Sequence, residues 1–209
     1  MEAFAHSCNT TFAKTGLILG KGDLRKASED LLFNSKLPTE LSHVKKSSFT
    51  MDDKADDALV MQTAIGQGDT LVTPLHMAMI ASAVCQGGEV MEPYYLDHVV
   101  NNNDTLVRKF AGGSAGTIMT VSEAKKLKKY MRHVVTEGTA SALNTSAYKA
   151  YGKTGSAEYT ADKNKTHSWF VGFAKKDGKK IAVAIIMEGA GSGSSHAVPL
   201  AKKMFEAYF

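Results

Sequence analysis

The residues best suited to chemistry are Lys153-Thr154-Gly155-Ser156, in a run that reads as a strand. A strand presenting a lysine, two hydroxyls and a glycine toward a cleft can hold a carboxylate. The ammonium supplies charge, the hydroxyls donate hydrogen bonds, and the glycine lets a bound backbone approach closely. Gly152-Lys153-Thr154 also mimics the tail of a phosphate-binding loop, but Ala147 stands where that loop needs its opening glycine, and strand signals rather than a helix follow. Ser7-Cys8-Asn9 lies just ahead of a helix and, taken alone, is an ordinary cap. Gly112-Gly113-Ser114-Ala115-Gly116 has the spacing of a hydrolase nucleophile elbow; with no buried strand leading into it, it reads as a loop. Cys8 and Cys85 are far apart, and the seven histidines form no H-E-x-x-H or Cys/His cluster, so neither a metal site nor a cofactor is expected.

The elements that must position these residues change character along the chain. Apolar spacing predicts helices over 10–19 and 23–33, the second with Leu24, Ala27, Leu31 and Leu32 on one face. Pro38 and the polar stretch 42–57 are loop-like. Thr73-Pro74 opens a helix with a threonine N-cap and a proline at its first position, and Gly87-Gly88 closes it. A short hairpin is predicted from 94–100 and 105–110, turning at Asn101-Asn102-Asn103-Asp104. Thr120 and Glu123 form a capping box for a helix reaching about Glu137, with Ala124, Leu127, Met131 and Val134 on its apolar face. Strand patterns then cover 151–159, 167–174 and 180–187. Their short connections imply an antiparallel meander. A final amphipathic helix, 195–208, carries Ala197, Leu200, Ala201, Met204, Phe205 and Tyr208 on one face. The run Ile181 to Met187 is apolar on both faces and must be covered on both sides. The expected fold is therefore α+β, an antiparallel sheet with helices on both faces, in one domain with a mostly helical part (1–149) and a part of strands plus C-terminal helix (150–209).

The 209 residues suit one ordinary domain, and 44% apolar with 22% charged residues is a globular composition. A net charge of +4 gives no case for nucleic acid. Lys125, Lys126, Lys128 and Lys129 read as the solvated face of a helix. No apolar run reaches the ~18 residues a membrane span needs. The opening Met1-Glu2-Ala3-Phe4-Ala5-His6 lacks the basic and apolar regions of a signal peptide.

Five segments, in order, carry a resemblance across nearly the whole chain. Ala5-His6-Ser7-Cys8-Asn9-Thr10-Thr11-Phe12-Ala13 resembles the S-x-N segment of class B penicillin-binding proteins. Ala64-Ile65-Gly66-Gln67-Gly68 with Val72-Thr73-Pro74-Leu75-His76-Met77-Ala78 is similar to their I-G-Q-G and T-P-L-Q segment, His76 standing where the pattern has Gln. Val135-Thr136-Glu137-Gly138-Thr139-Ala140 resembles the E-G-T-A turn. Tyr151 to Glu158 and His167 to Phe173 complete the set. The resemblance implies a serine D,D-transpeptidase that cross-links peptidoglycan through an acyl-enzyme on the extracytoplasmic face of the bacterial membrane. It implies that Ser7 relays a proton and that Asn9 hydrogen-bonds the substrate amide or the S-x-x-K lysine. Lys153, Thr154, Gly155 and Ser156 would receive the carboxylate of a D-alanyl-D-alanine stem peptide or of a β-lactam, and the Ser156 N–H would supply one oxyanion donor.

The family's S-x-x-K segment should precede Ser7, where six residues stand. Ser42-His43-Val44-Lys45, Ser122-Glu123-Ala124-Lys125 and Ser146-Ala147-Tyr148-Lys149 match the pattern but follow S-x-N, the wrong order for the family. The expectation is a C-terminal part of the transpeptidase domain, inactive alone, with an exposed apolar strand at 180–187 that self-associates or takes an N-terminal partner. Two rivals share these residues: a non-catalytic module binding muropeptide, β-lactam or a protein, and a β-lactamase or β-lactam sensor.

Overall fold

The computed structural model describes residues 1–162 and 165–209. A single-turn helix α1 (Glu2–Ala5) leads through Ser7 into α2 (Asn9–Asp30), which bends at Gly20, where φ is 77° and ψ 170°. The two predicted helices are thus the two arms of α2. The second arm stops at Asp30, short of the expected residue 33, with Leu31 as C-cap. Helix α3 (Asp57–Ala64) begins inside the stretch expected to be loop, where the Asp56 carboxylate accepts the Leu59 N–H at 2.8 Å. It packs against α2 so closely that a Cβ on Gly16 would lie 2.4 Å from that of Ala64.

Helix α4 (Pro74–Gln86) has the expected threonine cap, and Gly87 ends it in the left-handed region at φ 87°. Its buried His76 ties down the long preceding loop: the ring donates from Nε2 to the Leu31 carbonyl and accepts the Ser47 hydroxyl at Nδ1, both at 2.8 Å. Burial pushes this imidazole below its usual range and favours the neutral form, in which one ring nitrogen donates and the other accepts. Helix α5 (Val121–Thr136) starts in the predicted capping box, with both reciprocal bonds between Thr120 and Glu123 in place.

Among the described residues seven strands form three sheets. β1 (Glu89–Met91) pairs with β4 (Ser114–Thr117), β2 (His98–Val100) with β3 (Leu106–Lys109), and β5 (Lys149–Glu158), β6 (Thr166–Lys176) and β7 (Lys179–Met187) form an antiparallel meander in the order 5-6-7. The β1–β4 pair corrects the sequence reading of Gly112–Gly116 as loop: Ser114, Ala115 and Gly116 lie in a strand. A three-residue partner far away in sequence leaves no local pattern to reveal such a pair.

Helices cover both faces of the meander. On one face Ala150, Phe170, Ala174, Val183 and Ile185 pack against Val198, Ala201 and Phe205 of α6 (Ala197–Tyr208). On the other, Phe173 packs with Val84 and Cys85 of α4 and Met131 of α5. Full burial of each large side chain here contributes roughly 1.5–3 kcal/mol. Leu200, Met204 and Tyr208 are exposed, however, so the apolar face assigned to the last helix is rotated toward Val198. Gly152 and Gly172 face each other across β5 and β6, and the Phe170 ring lies over both: a Cβ on Gly152 would come within 2.3 Å of it.

Candidate active site

The site forms where the loop after α1 meets the middle of β5. Ser7 adopts φ 55°, a left-handed conformation uncommon outside glycine, at a cost of order 1–3 kcal/mol. The short α1–α2 connection holds it there: the Cys8 N–H donates to the Ala3 carbonyl at 2.8 Å and the Ser7 N–H to the Phe4 carbonyl at 3.4 Å. The Ser7 hydroxyl thereby accepts a hydrogen bond from the Lys153 ammonium, joining the S-x-N and K-T-G segments. The ammonium also donates to the Thr154 carbonyl at 2.8 Å and sits 5.9 Å from the centre of the Phe4 ring. Burial lowers the lysine's pKa to about 8.

Helix α1 is itself fastened by the segment that follows α5. The Thr139 N–H donates to the Ala5 carbonyl at 3.3 Å, and a side chain on Gly138 would strike that carbonyl at 2.3 Å. This close approach requires glycine. Thr139 then hydrogen-bonds the buried Thr154 hydroxyl through its own, at 2.6 Å. His133 contacts Glu2 at 2.8 Å and Glu137 at 3.3 Å, a bridge from α1 to the end of α5. That interaction holds the exposed Glu2 carboxyl below its usual range. These three side chains offer ligand atoms within 4.8 Å of one another, but each is explained by the imidazole lying between two carboxylates.

The far end of the K-T-G-S segment is braced by two groups that carried no site assignment. The Ser156 hydroxyl accepts the Gly193 N–H at 3.3 Å, and the Ser156 carbonyl accepts from the Gln67 side chain at 3.4 Å. Gly193 is wedged against the sheet, where a Cβ would lie 2.5 Å from both the Gly155 and Trp169 carbonyls. Gln67 and Thr139 belong to segments that carry the family resemblance, which was the available signal. Gly193 gave none, because its importance arises from a contact across the fold.

Of the six expected site residues, Ser7, Lys153 and Thr154 are linked by hydrogen bonds directly or through the backbone, and Gly155 and Ser156 continue the same strand. Asn9 is the exception. It is exposed at the first position of α2, and among the described residues no hydrogen bond joins it to Ser7 or Lys153. It lines a groove of about 440 Å³ with Thr10, Ala13, Leu17 and residues of α3. The three S-x-x-K matches lie elsewhere: Ser122 and Lys125 are exposed on α5, Ser42 is in a turn, and Lys149 begins β5 four residues before Lys153.

The chain is similar to known proteins in sequence and in structure. The family model for the penicillin binding protein transpeptidase domain matches residues 1–206. The peptidoglycan D,D-transpeptidase PbpA of Mycobacterium tuberculosis is 29% identical over 214 residues, covering 99% of this chain and 43% of that protein. The peptidoglycan D,D-transpeptidase MrdA of Acinetobacter baumannii is 26% identical, covering 98% and 34%. Among solved structures, the D,D-transpeptidase domain of an Eggerthella lenta peptidoglycan glycosyltransferase superposes with a TM-score of 0.85 at 26% identity, over 99% of this chain and 53% of that one. The penicillin G acyl-enzyme of M. tuberculosis penicillin-binding protein A gives 0.85 at 27%, over 99% and 47%. The chain thus spans about half or less of the relatives it matches. A match over almost every residue, with the lysine of one motif seated on the serine of another, means that this chain belongs to the penicillin-binding protein transpeptidase domain family.

Proposed function

We propose that residues 1–209 act as one unit, the S-x-N and K-T-G side of a serine D,D-transpeptidase site that cross-links peptidoglycan on the extracytoplasmic face of the bacterial membrane. The observation that carries this reading is the Lys153–Ser7 hydrogen bond, which brings two chain-distant motifs onto one centre. Lys153, Thr154 and Ser156 hold the terminal carboxylate of a D-alanyl-D-alanine stem peptide or of a β-lactam. Gly155 lets the ligand backbone lie along β5. The free edge of β5 accepts the extended peptide as an added strand.

In this reading Ser7 passes a proton, because its hydroxyl accepts from Lys153 while still able to donate onward. Asn9 hydrogen-bonds the substrate amide from the rim of the cleft. The Ser156 N–H is one oxyanion donor, a contribution of roughly 3 kcal/mol to lowering the barrier. None of the three S-x-x-K serines lies at this centre, so the acyl-accepting serine is assigned to no residue of the chain. The chain is therefore a binding and relay half-site without acyl transfer of its own.

Incubation with a fluorescent penicillin tests this directly. No covalent label is expected, whereas calorimetric titration with a D-Ala-D-Ala peptide should give saturable heat that Lys153→Ala abolishes. Robust labelling at a serine of this chain, located by peptide mapping, would overturn the assignment. Absence of heat with the unaltered protein would remove the carboxylate-holding role.

A further inference from the structure

The lysine-rich face of α5 has company that its sequence does not suggest. Lys125, Lys128, Lys129 and Arg132 recur at the three- and four-residue spacing of one helical face. Beside them, three lysines stand in register across the meander: Lys149 opposite Lys175, and Lys175 opposite Lys180. Like charges directly opposite on neighbouring strands are destabilising. The helical cations and Lys149 line a groove of about 370 Å³ together with Tyr151, and Lys175 and Lys180 continue the row across the sheet beside it.

Among the described residues, no carboxylate lies within ion-pair distance of any of these seven cations. The bonds they do make go to neutral acceptors. Lys128 donates to the Cys85 carbonyl, Lys180 to the Gln86 side chain, and Arg132 to the Ala150 carbonyl and the Asn144 side chain. At the end of the groove His133 engages two carboxylates, Glu2 and Glu137. Lys128 is held below its usual pKa first by burial and next by the charge of Lys175. The row leaves its charge open to solvent anions.

We propose that this groove binds a linear polymer bearing phosphate groups. Its extent argues for a polymer over a single ion: the helical face runs about 10 Å from Lys125 to Arg132 at the helix rise, and the cross-strand row about 10 Å at the strand spacing. Lys149 and Lys153 lie on one face of β5, about 13 Å apart at the strand rise, so the bound polymer would run beside the carboxylate-holding centre.

Titration of the protein with inorganic polyphosphate tests the proposal. Saturable binding is expected, weakened at least tenfold in the triple variant Lys128→Ala/Lys149→Ala/Lys175→Ala, whose melting temperature should equal or exceed that of the parent. Lys180→Glu, at an exposed position, should alone weaken binding several-fold. Removing equal charge elsewhere (Lys36→Ala/Lys54→Ala/Lys203→Ala) should leave affinity unchanged. Failure of polyphosphate to bind, equal loss in the charge-matched control, or tighter binding to phosphatidylglycerol vesicles than to polyphosphate would each overturn it.

Discussion

Lys153 has two protonation states within reach of ordinary conditions, and each suits a different task. With a pKa near 8 it is charged by about ten to one at pH 7, as carboxylate binding requires. Affinity for a D-Ala-D-Ala peptide should therefore hold up to pH 8 and fall by up to about tenfold per unit above it. Lys153→Met should remove both the affinity and this step, as calorimetric titrations on either side of pH 8 would show. The same shift acts on stability with the opposite sense. Burial opposes the charged form, so its penalty on the folded state is fully present below pH 8 and is relieved between pH 8 and 10.5, where the unfolded chain still holds the proton. At this scale the sequence was informative about the ligands for a carboxylate and silent about their supports. The lysine and hydroxyls are recognisable by type. The bond from Thr139 to Thr154 and the wedge at Gly193 exist only once distant segments have packed.

Elements were legible in proportion to their length and the clarity of their ends. The caps of α4 and α5 and the three long strands carry local signals strong enough to read directly. Helix α3 is two turns long, and β1 and β4 have three and four residues with glycine among them, so periodicity had nothing to act on. The face of α6 was misjudged for another reason: its apolar arc is wide, and spacing alone does not say which flank meets the sheet. The facing glycines of β5 and β6 lead to a prediction at this scale. A Cβ on Gly172 would lie 2.2 Å from the Tyr151 carbonyl and 2.8 Å from the Phe170 ring. Backbone cannot yield as a flexible side chain does, so Gly172→Val should cost about 3 kcal/mol, at the upper end for overpacking. Thermal denaturation should register a fall of roughly 6–12 °C. An unchanged melting temperature would mean that the strands can separate without loss.

The molecule as a whole leaves apolar surface uncovered. Leu17, Ile18 and Leu19 on α2 are 40%, 75% and 48% exposed, Leu200, Met204 and Tyr208 form a stripe on α6, and among the described residues β7 is paired on one side only. Clustered exposure of this kind favours association. Sedimentation of this chain should show a concentration-dependent average mass, and Ile18→Glu should lower it without lowering the melting temperature. A single species at every concentration would count against association through these surfaces. The open edge at 180–187 was foreseeable only through the family resemblance, since its apolar run by itself implies cover on both faces; the exposed arm of α2 was not foreseeable, because nothing local marks which helix lacks a neighbour. The contact between Lys153 and Ser7 bears on synthesis as well as on binding. These residues are 146 positions apart, and α1 is fastened through Ala5, Glu2 and Ser7 to residues 133–153. On a ribosome adding about 5–20 residues per second, Ser7 would emerge roughly 7–30 s before its partner. During that interval the segment around Ser7 has none of the tertiary bonds that shape it, so the site is assembled late, by capture of residues 2–7 once β5 arrives.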